Sequence, residues 1–258
     1  MKNIFELKGK IAVVTGGYSY LGKAISEVLA QYGATVYIVG KNVEAAKKVI
    51  ASLHPKNKTK FVNCDVRNLN SIKDCFKYIS EKEGRIDILI NNANFGKAGM
   101  LDEISETDWN EGIDGTINNY FRCIQTALKY MKRKGGVILN VSSMYGVVSP
   151  NPEVYGNSGF DNPPNYGAGK AAIIQLTKYA AVHFAKYNIR VNCISPGAFP
   201  KPLVQKNKEF IKNLSKKIPL GRIGNPDELK GVVILLTSDA SSYITGQNFC
   251  VDGGWTIW

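Results

Sequence analysis

Seven short apolar runs alternate with longer amphipathic segments along the 258 residues, and this alternation limits the fold more than any other feature. The runs are IAVV (11–14), TVYIV (35–39), KFVN (60–63), IDILI (86–90), VILNV (137–141), IRVNCI (189–194) and NFCV (248–251). Each is rich in β-branched residues and largely apolar on both faces, as strands covered by helices on both sides must be. Helical patterns lie between them at about 21–32, 43–53, 69–81, 107–131, 165–186 and 226–236. The last starts with proline near its first turn. The spacing predicts an α/β fold, a doubly wound parallel sheet of about seven strands with helices on both faces. No repeat, low-complexity tract or compositional break interrupts 1–258, so one domain is expected. Ligands of such sheets bind beyond the carboxyl ends of the strands, so the residues after each strand are the candidates for a site.

Composition removes several classes. No apolar run approaches the ~20 residues needed to span a bilayer. The N-terminal MKNIFELKGK is charged and lacks the apolar stretch of a secretory signal. Cys64, Cys75, Cys123, Cys193 and Cys250 are scattered, and none has metal-ligand spacing with His54 or His183. This reads as buried, reduced thiols in a cytoplasmic protein without a metal site. The net charge of +12 allows two readings, attraction to nucleic acid or membrane, or solvated helix faces. The lysines are spread along the chain, and the densest clusters (KNKTK, 56–60; KYMKRK, 129–134) are short, so the sequence points to solvated faces. No nucleic-acid motif accompanies the charge. A positive field would still help to bring in an anionic cofactor.

TGGYSYLG (15–22) follows the first strand and opens a helix, the context that a phosphate-binding turn requires. Glycine serves such a turn by allowing a tight bend, close approach to pyrophosphate and close helix–strand packing. Gly16 and Gly22 suit the first and last of these. After the second strand, an NAD site would show an acid to bind the ribose 2′-hydroxyl. Lys41 stands there instead, which leans towards the 2′-phosphate of NADP(H) and leaves NAD(H) open. Asp65, beside Val66 in CDV, is a candidate adenine contact. NNAN (91–94), SSMYG (142–146) and SPGAFP (195–200) follow the next three strands. These small, polar or Gly/Pro residues read as a ligand-lined edge.

Tyr166 and Lys170, four apart at the start of a helix, share a helix face. At about 5 Å and an effective dielectric of about 20, the ammonium would favour phenolate by roughly 3 kcal/mol, bringing the phenol pKa down by about two. A phenol so tuned acts as general acid or base near neutral pH. Ser143, after the fifth strand, is placed to hold a substrate oxygen. The spacing also occurs at Tyr37/Lys41, Tyr78/Lys82 and Tyr130/Lys134, but only Tyr166/Lys170 opens a helix of small residues after a serine-bearing strand end.

Taken together, TGGYSYLG, CDV, NNAN, ILNVSS, YGAGKAA, IRVNCISPG, GRIGNPDEL and TGQNFCVDGG resemble the short-chain dehydrogenase/reductase family, in its compact single-domain branch, over nearly the whole chain. The resemblance implies a Rossmann-type fold, NAD or NADP, and hydride transfer between nicotinamide and an alcohol or carbonyl carbon. It implies Tyr166 as general acid/base, with Lys170 lowering its pKa and binding the nicotinamide ribose. Ser143 would orient the substrate oxygen. Asn92 and Ala93 would line the cofactor, and Pro196, Gly197 and Phe199 would flank the nicotinamide. Such enzymes act on small molecules and are commonly homotetramers; a homodimer is the simpler alternative, and residues 255–258 would suit a subunit contact.

The chain departs from the family in four places. The glycine loop reads in two frames, one putting Tyr20 and the other Ser19 in a glycine position. The second is milder, with Ser19 donating to phosphate, Tyr20 turned aside, and Leu21 opening the helix. Asn94 replaces a glycine and is expected in a left-handed conformation, which asparagine tolerates. Thr116 occupies the place of the family's catalytic asparagine, whose carbonyl holds a relay water. Its hydroxyl could hold water, Asn119 could substitute one turn on, or the relay is impaired and the protein binds cofactor with little turnover. Finally, Ser143 and Tyr166 are twenty-three residues apart, more than is usual in the family. The extra residues, at about 149–165, form either a solvent loop or a lid for a polar substrate such as a sugar or sugar nucleotide. Similar lengthening occurs in members grouped with flagellin-modification and other sugar-pathway enzymes. A segment at about 198–217 is expected on the substrate side.

Overall fold

The computed structural model describes residues 3–53 and 58–258. His54 and the first two residues of the 56–60 cluster lie outside the described residues. Seven strands form one sheet: β1 (Ile11–Thr15), β2 (Thr35–Gly40), β3 (Thr59–Asn63), β4 (Ile88–Asn91), β5 (Gly136–Val141), β6 (Ile189–Pro196) and β7 (Asn248–Val251). Their order is β3-β2-β1-β4-β5-β6-β7, and every pairing is parallel. The order reverses between β1 and β4, which opens a crevice at their carboxyl ends.

Alternate residues of each central strand enter opposite layers. Ala12 and Val14 pack with Ile25, Val28 and Leu29 of α1 (Tyr20–Gln31) and with Ala46 of α2 (Val43–Ser52). Ile11 and Val13 pack with Ile72, Phe76 and Ile79 of α3 (Leu69–Glu83) on the other face. This double coverage explains why the strands read as continuous apolar runs. The predicted helix at 107–131 is α4 (Glu106–Ile113), a π-helical turn (Asp114–Asn118) and α5 (Asn119–Met131) in succession. Gly115 needs its missing side chain here, because a Cβ would stand 1.8 Å from the Phe95 carbonyl oxygen.

The lengthened loop contains a short helix, α6 (Pro152–Tyr155), and leads into α7 (Pro164–Phe184). The segment 198–217 contains α8 (Lys208–Lys217), and the predicted 226–236 helix is a 3₁₀ turn leading into α9 (Lys230–Thr237). Two expectations fail. Asn94 is not left-handed, since Asn188 is the only non-glycine residue with positive φ among the described residues. Cys250 is exposed, because β7 is an edge strand, whereas the other four cysteines are buried.

A buried polar chain ties the sheet to α7. Asn91 Nδ2 donates to Asn140 Oδ1 (2.8 Å), and Asn140 Nδ2 donates to Thr177 Oγ1 (2.9 Å). Asn140 is fully buried, so losing it strands its partners. Asn140→Leu is expected to destabilise the chain by about 2–4 kcal/mol, at about 1–3 kcal/mol per unpaired group. Urea unfolding followed by circular dichroism measures this, and an unchanged midpoint would refute it.

Candidate active site

The turn after β1 is built for close packing. Gly16 has φ +62°, and a Cβ there would lie 3.2 Å from both Ala93 Cα and Asn92 Nδ2. A Cβ on Gly22 would lie 2.3 Å from the Gly16 carbonyl oxygen. Ser19 caps α1 by accepting from the Gly22 amide at 3.2 Å. Asn92 Nδ2 donates to the carbonyls of Thr15 (2.9 Å) and Gly16 (3.1 Å), locking the turn to the end of β4. The first turn of α1 carries no acidic residue, and its leading amides have no intrahelical acceptor. This cradle fits the pyrophosphate of a dinucleotide.

Tyr20 is not turned aside. It lines the cleft, and its hydroxyl meets Gln205 Nε2 at 3.5 Å from the 198–217 segment. Sequence reasoning did not assign Tyr18, which also lines the cleft. Its ring covers Gly40, where a Cβ would lie 2.5 Å from the ring, and its hydroxyl accepts from the Asn42 amide at 3.3 Å.

The cleft has a volume of about 420 Å³. It gathers Gly16, Ser19, Tyr20, Leu21, Asn92, Ala93, Ser143, Tyr166, Lys170, Pro196, Gly197 and Phe199 from five separate stretches of chain. Lys41 and Asp65 stand outside it and pair with each other at 3.3 Å, because adjacent β2 and β3 end side by side. The pairing weakens the free positive charge inferred for Lys41. Val66 is buried in the core between the sheet and α3.

Ser143 and Tyr166 line the same wall of the cleft, where the serine hydroxyl favours the ionised phenol. Lys170, 3% exposed, donates from Nζ to the Val141 carbonyl at 2.7 Å, and its Nζ lies 5.5 Å from the centroid of the Tyr166 ring. Burial pulls the lysine down to about 8, so it stays largely cationic at neutral pH. Burial pushes the Tyr166 phenol above its ordinary value, partly offset by Ser143. This corrects the expected lowering, because Lys170 reaches over the ring face towards Val141 rather than to the phenol oxygen. The exposed pair Lys82/Tyr78 makes the opposite point. There the same spacing does place the ammonium on the phenol oxygen, at 3.2 Å, without any surrounding site.

Thr116 is not brought to the cleft. Its hydroxyl donates to the Gly112 carbonyl at 2.8 Å, and it packs on α7 so closely that a Cβ on Gly169 would stand 1.8 Å from Oγ1. Asn119 instead braces the NNAN segment, donating to the Ala93 carbonyl at 2.9 Å, while its Oδ1 is buried without a partner among the described residues.

A second hollow of about 290 Å³ shares Ser143, Tyr166, Gly197 and Phe199 with the cleft. Tyr155, Phe160, Asp161 and Asn162 of the lengthened loop line it, as do Phe210 and Leu214 of α8. The loop is therefore docked: Tyr155 and Phe160 pack at a tilt against Phe210 with centroids 5.6 and 5.1 Å away, and the hydroxyls of Tyr155 and Tyr145 meet at 2.7 Å. The sequence reading missed α8, although Phe210 and Leu214 stand one turn apart after the capping Asn207. Trp255 is buried against Tyr145, which leaves Ile257 and Trp258 exposed at the C-terminal end.

A family model described as enoyl-(acyl carrier protein) reductase matches residues 17–256. The chain is 38% identical to 3-oxoacyl-(acyl-carrier-protein) reductase FabG of Thermotoga maritima, over 98% of this chain and 100% of that protein. A short-chain dehydrogenase from Leptospira borgpetersenii, solved with bound NAD+, superposes with a TM-score of 0.87 at 35% identity, covering 100% of this chain and 97% of that one. The RhlG/NADP active-site complex of Pseudomonas aeruginosa superposes with a TM-score of 0.90 at 28% identity, covering all of both chains.

Gly22→Ala tests the cradle. The added methyl must displace the Gly16 carbonyl, at a strain of about 1–3 kcal/mol, so NADPH and NADH are expected to bind at least about fivefold more weakly. Nicotinamide fluorescence titration reads this, and unchanged affinity for both would contradict the loop's assignment.

Proposed function

The chain belongs to the short-chain dehydrogenase/reductase family, an NAD(P)-dependent oxidoreductase of hydroxyl or carbonyl groups, and from that premise we propose that its substrate is a polar, sugar-like ring. The observation that carries the proposal is the hollow beside Ser143 and Tyr166. It combines the rings of Tyr155, Phe160 and Phe210 with the carboxylate of Asp161 and the amide of Asn162. Rings take up the C–H faces of a saturated ring, while the few polar groups select hydroxyls at its edge. In this reading the 149–165 loop is a substrate cover.

The turn from Gly16 to Gly22, with Asn92, Ala93, Pro196, Gly197 and Phe199, would hold the dinucleotide. When bound, the nicotinamide supplies or accepts the hydride. Ser143 holds the substrate oxygen, and the Tyr166 phenol gives that oxygen a proton in reduction or takes it back in oxidation. The Lys170 ammonium favours the phenolate that remains once the proton has left. Lys41, in place of an acid after β2, supports NADP(H) over NAD(H). An assembly of two or four copies is supported by exposed apolar side chains on α5 (Phe121) and α7 (Tyr179, Val182). Four buried free thiols support a cytoplasmic location. No helix of the described residues is long and apolar enough to cross a membrane.

Two measurements test the assignment. Tyr166→Phe is expected to lower turnover by about 10²–10⁴ while NADPH affinity stays within a few-fold. Phe210→Ala is expected to raise KM for a keto-sugar by about tenfold, the loss of roughly 1.4 kcal/mol of ring contact, with kcat little changed. NADPH oxidation screened over keto-sugars, acyl thioesters and steroid ketones decides the class. Faster turnover of a thioester or steroid than of every keto-sugar would overturn the sugar-like reading.

A further inference from the structure

Among the described residues Lys170 is a buried cation without a carboxylate partner, and the structure shows what takes that partner's place. Tyr120, the second residue of α5, is 1% exposed and follows the π-helical turn. Its hydroxyl donates to the Val141 carbonyl at 2.8 Å. Lys170 Nζ donates to the same carbonyl at 2.7 Å and to the Tyr120 hydroxyl at 3.4 Å, closing a triangle. The ammonium also sits between two aromatic rings, 5.3 Å from the centroid of Tyr120 and 5.5 Å from that of Tyr166. Ring faces and hydroxyl oxygens both stabilise a cation removed from water.

Among the described residues, the other groups around the ammonium add no negative charge. β5 contributes the Val141 carbonyl, and the Ser142 hydroxyl is taken up in donating to the Lys170 carbonyl at 2.7 Å. Cys193 of β6 is pushed up to about 12 by burial and is neutral, and Cys123, behind Tyr120, is raised by burial as well. Tyr120 itself is raised well above its ordinary value, so it acts as a neutral dipole. Tyr166, on the same helix as Lys170, is raised too.

We propose that Tyr120 is a positioning residue for Lys170: its hydroxyl and ring hold the ammonium against the Val141 carbonyl and set the pH at which the cation is lost. This rests on the reading of Lys170 as the cation of a nicotinamide-binding active site. The sign follows from the charges. The triangle favours the protonated amine, so removing the hydroxyl lowers the pH at which Lys170 loses its charge. Phenylalanine keeps the ring and nearly the volume, so Tyr120→Phe removes the hydroxyl alone.

The test is nicotinamide fluorescence titration with NADPH from pH 7 to pH 10, on wild type, Tyr120→Phe and Lys170→Met. Wild-type affinity is expected to fall as pH rises through about 8, and Lys170→Met is expected to lack this step. Tyr120→Phe is expected to bind within about twofold of wild type at pH 7 and about tenfold more weakly at pH 9, as a step moved down by about one pH unit requires. Tyr120→Met, which lacks both ring and hydroxyl, is expected to move the step further and serves if the phenylalanine variant fails to fold. A variant step that coincides with wild type, or a loss equal at every pH, would overturn the proposal and leave Lys170's role standing. A wild-type profile without the step, or a step that persists in Lys170→Met, would overturn the Lys170 reading and the proposal with it.

Discussion

The hydrogen bond from the Lys170 ammonium to the Val141 carbonyl, at the last residue of β5, is the contact on which the site depends. It joins the end of a central strand to the first turns of α7. A cation this deeply buried costs several kcal/mol unless donors and dipoles are arranged around it. The arrangement reaches from the strand end through Tyr120 of α5 and continues below through Asn140 and Thr177. The same helix start carries Tyr166, so the position of its phenol in the cleft follows from how α7 is fastened to the sheet.

The glycine loop shows how a chain can keep a tight strand-to-helix turn with one glycine fewer. The two positions where a side chain cannot fit, Gly16 and Gly22, are kept. Tyr20 lies at the first helical residue, in a right-handed conformation that any residue adopts, so its ring meets no backbone barrier. It changes what faces the cleft and not how the turn is made. Its contact with Gln205 and the packing of Tyr18 on Gly40 give this cleft two aromatic walls that a glycine-rich loop lacks.

The lengthened loop and α8 form one unit by packing. Val154, Tyr155, Phe210 and Leu214 bury one another beside Met144 and Tyr145. This cluster stands apart from the two main layers of the core. Its inner surface is the hollow next to Ser143 and Tyr166, so the shape of that hollow is set by residues far apart in the chain.

The sequence by itself determined the seven parallel strands, the order of helix and strand, and most of the residues along the cleft. Strand burial on both faces writes an apolar run, and a ligand edge writes small, polar and glycine residues after each run. Only the tertiary structure decided where side chains point. Thr116 sat at the right count from Trp109, yet the π-helical turn directs its hydroxyl back to Gly112 and presses it onto Gly169. Lys41 and Asp65 are twenty-four positions apart but meet because β2 and β3 are neighbours. The direction of the Tyr166 shift also belonged to the fold, since the spacing of Tyr166 and Lys170 fixes which side chains are close but not how much water surrounds them. Contacts between distant segments and the loss of solvent around a group are properties of packing, and a local pattern of residues carries neither.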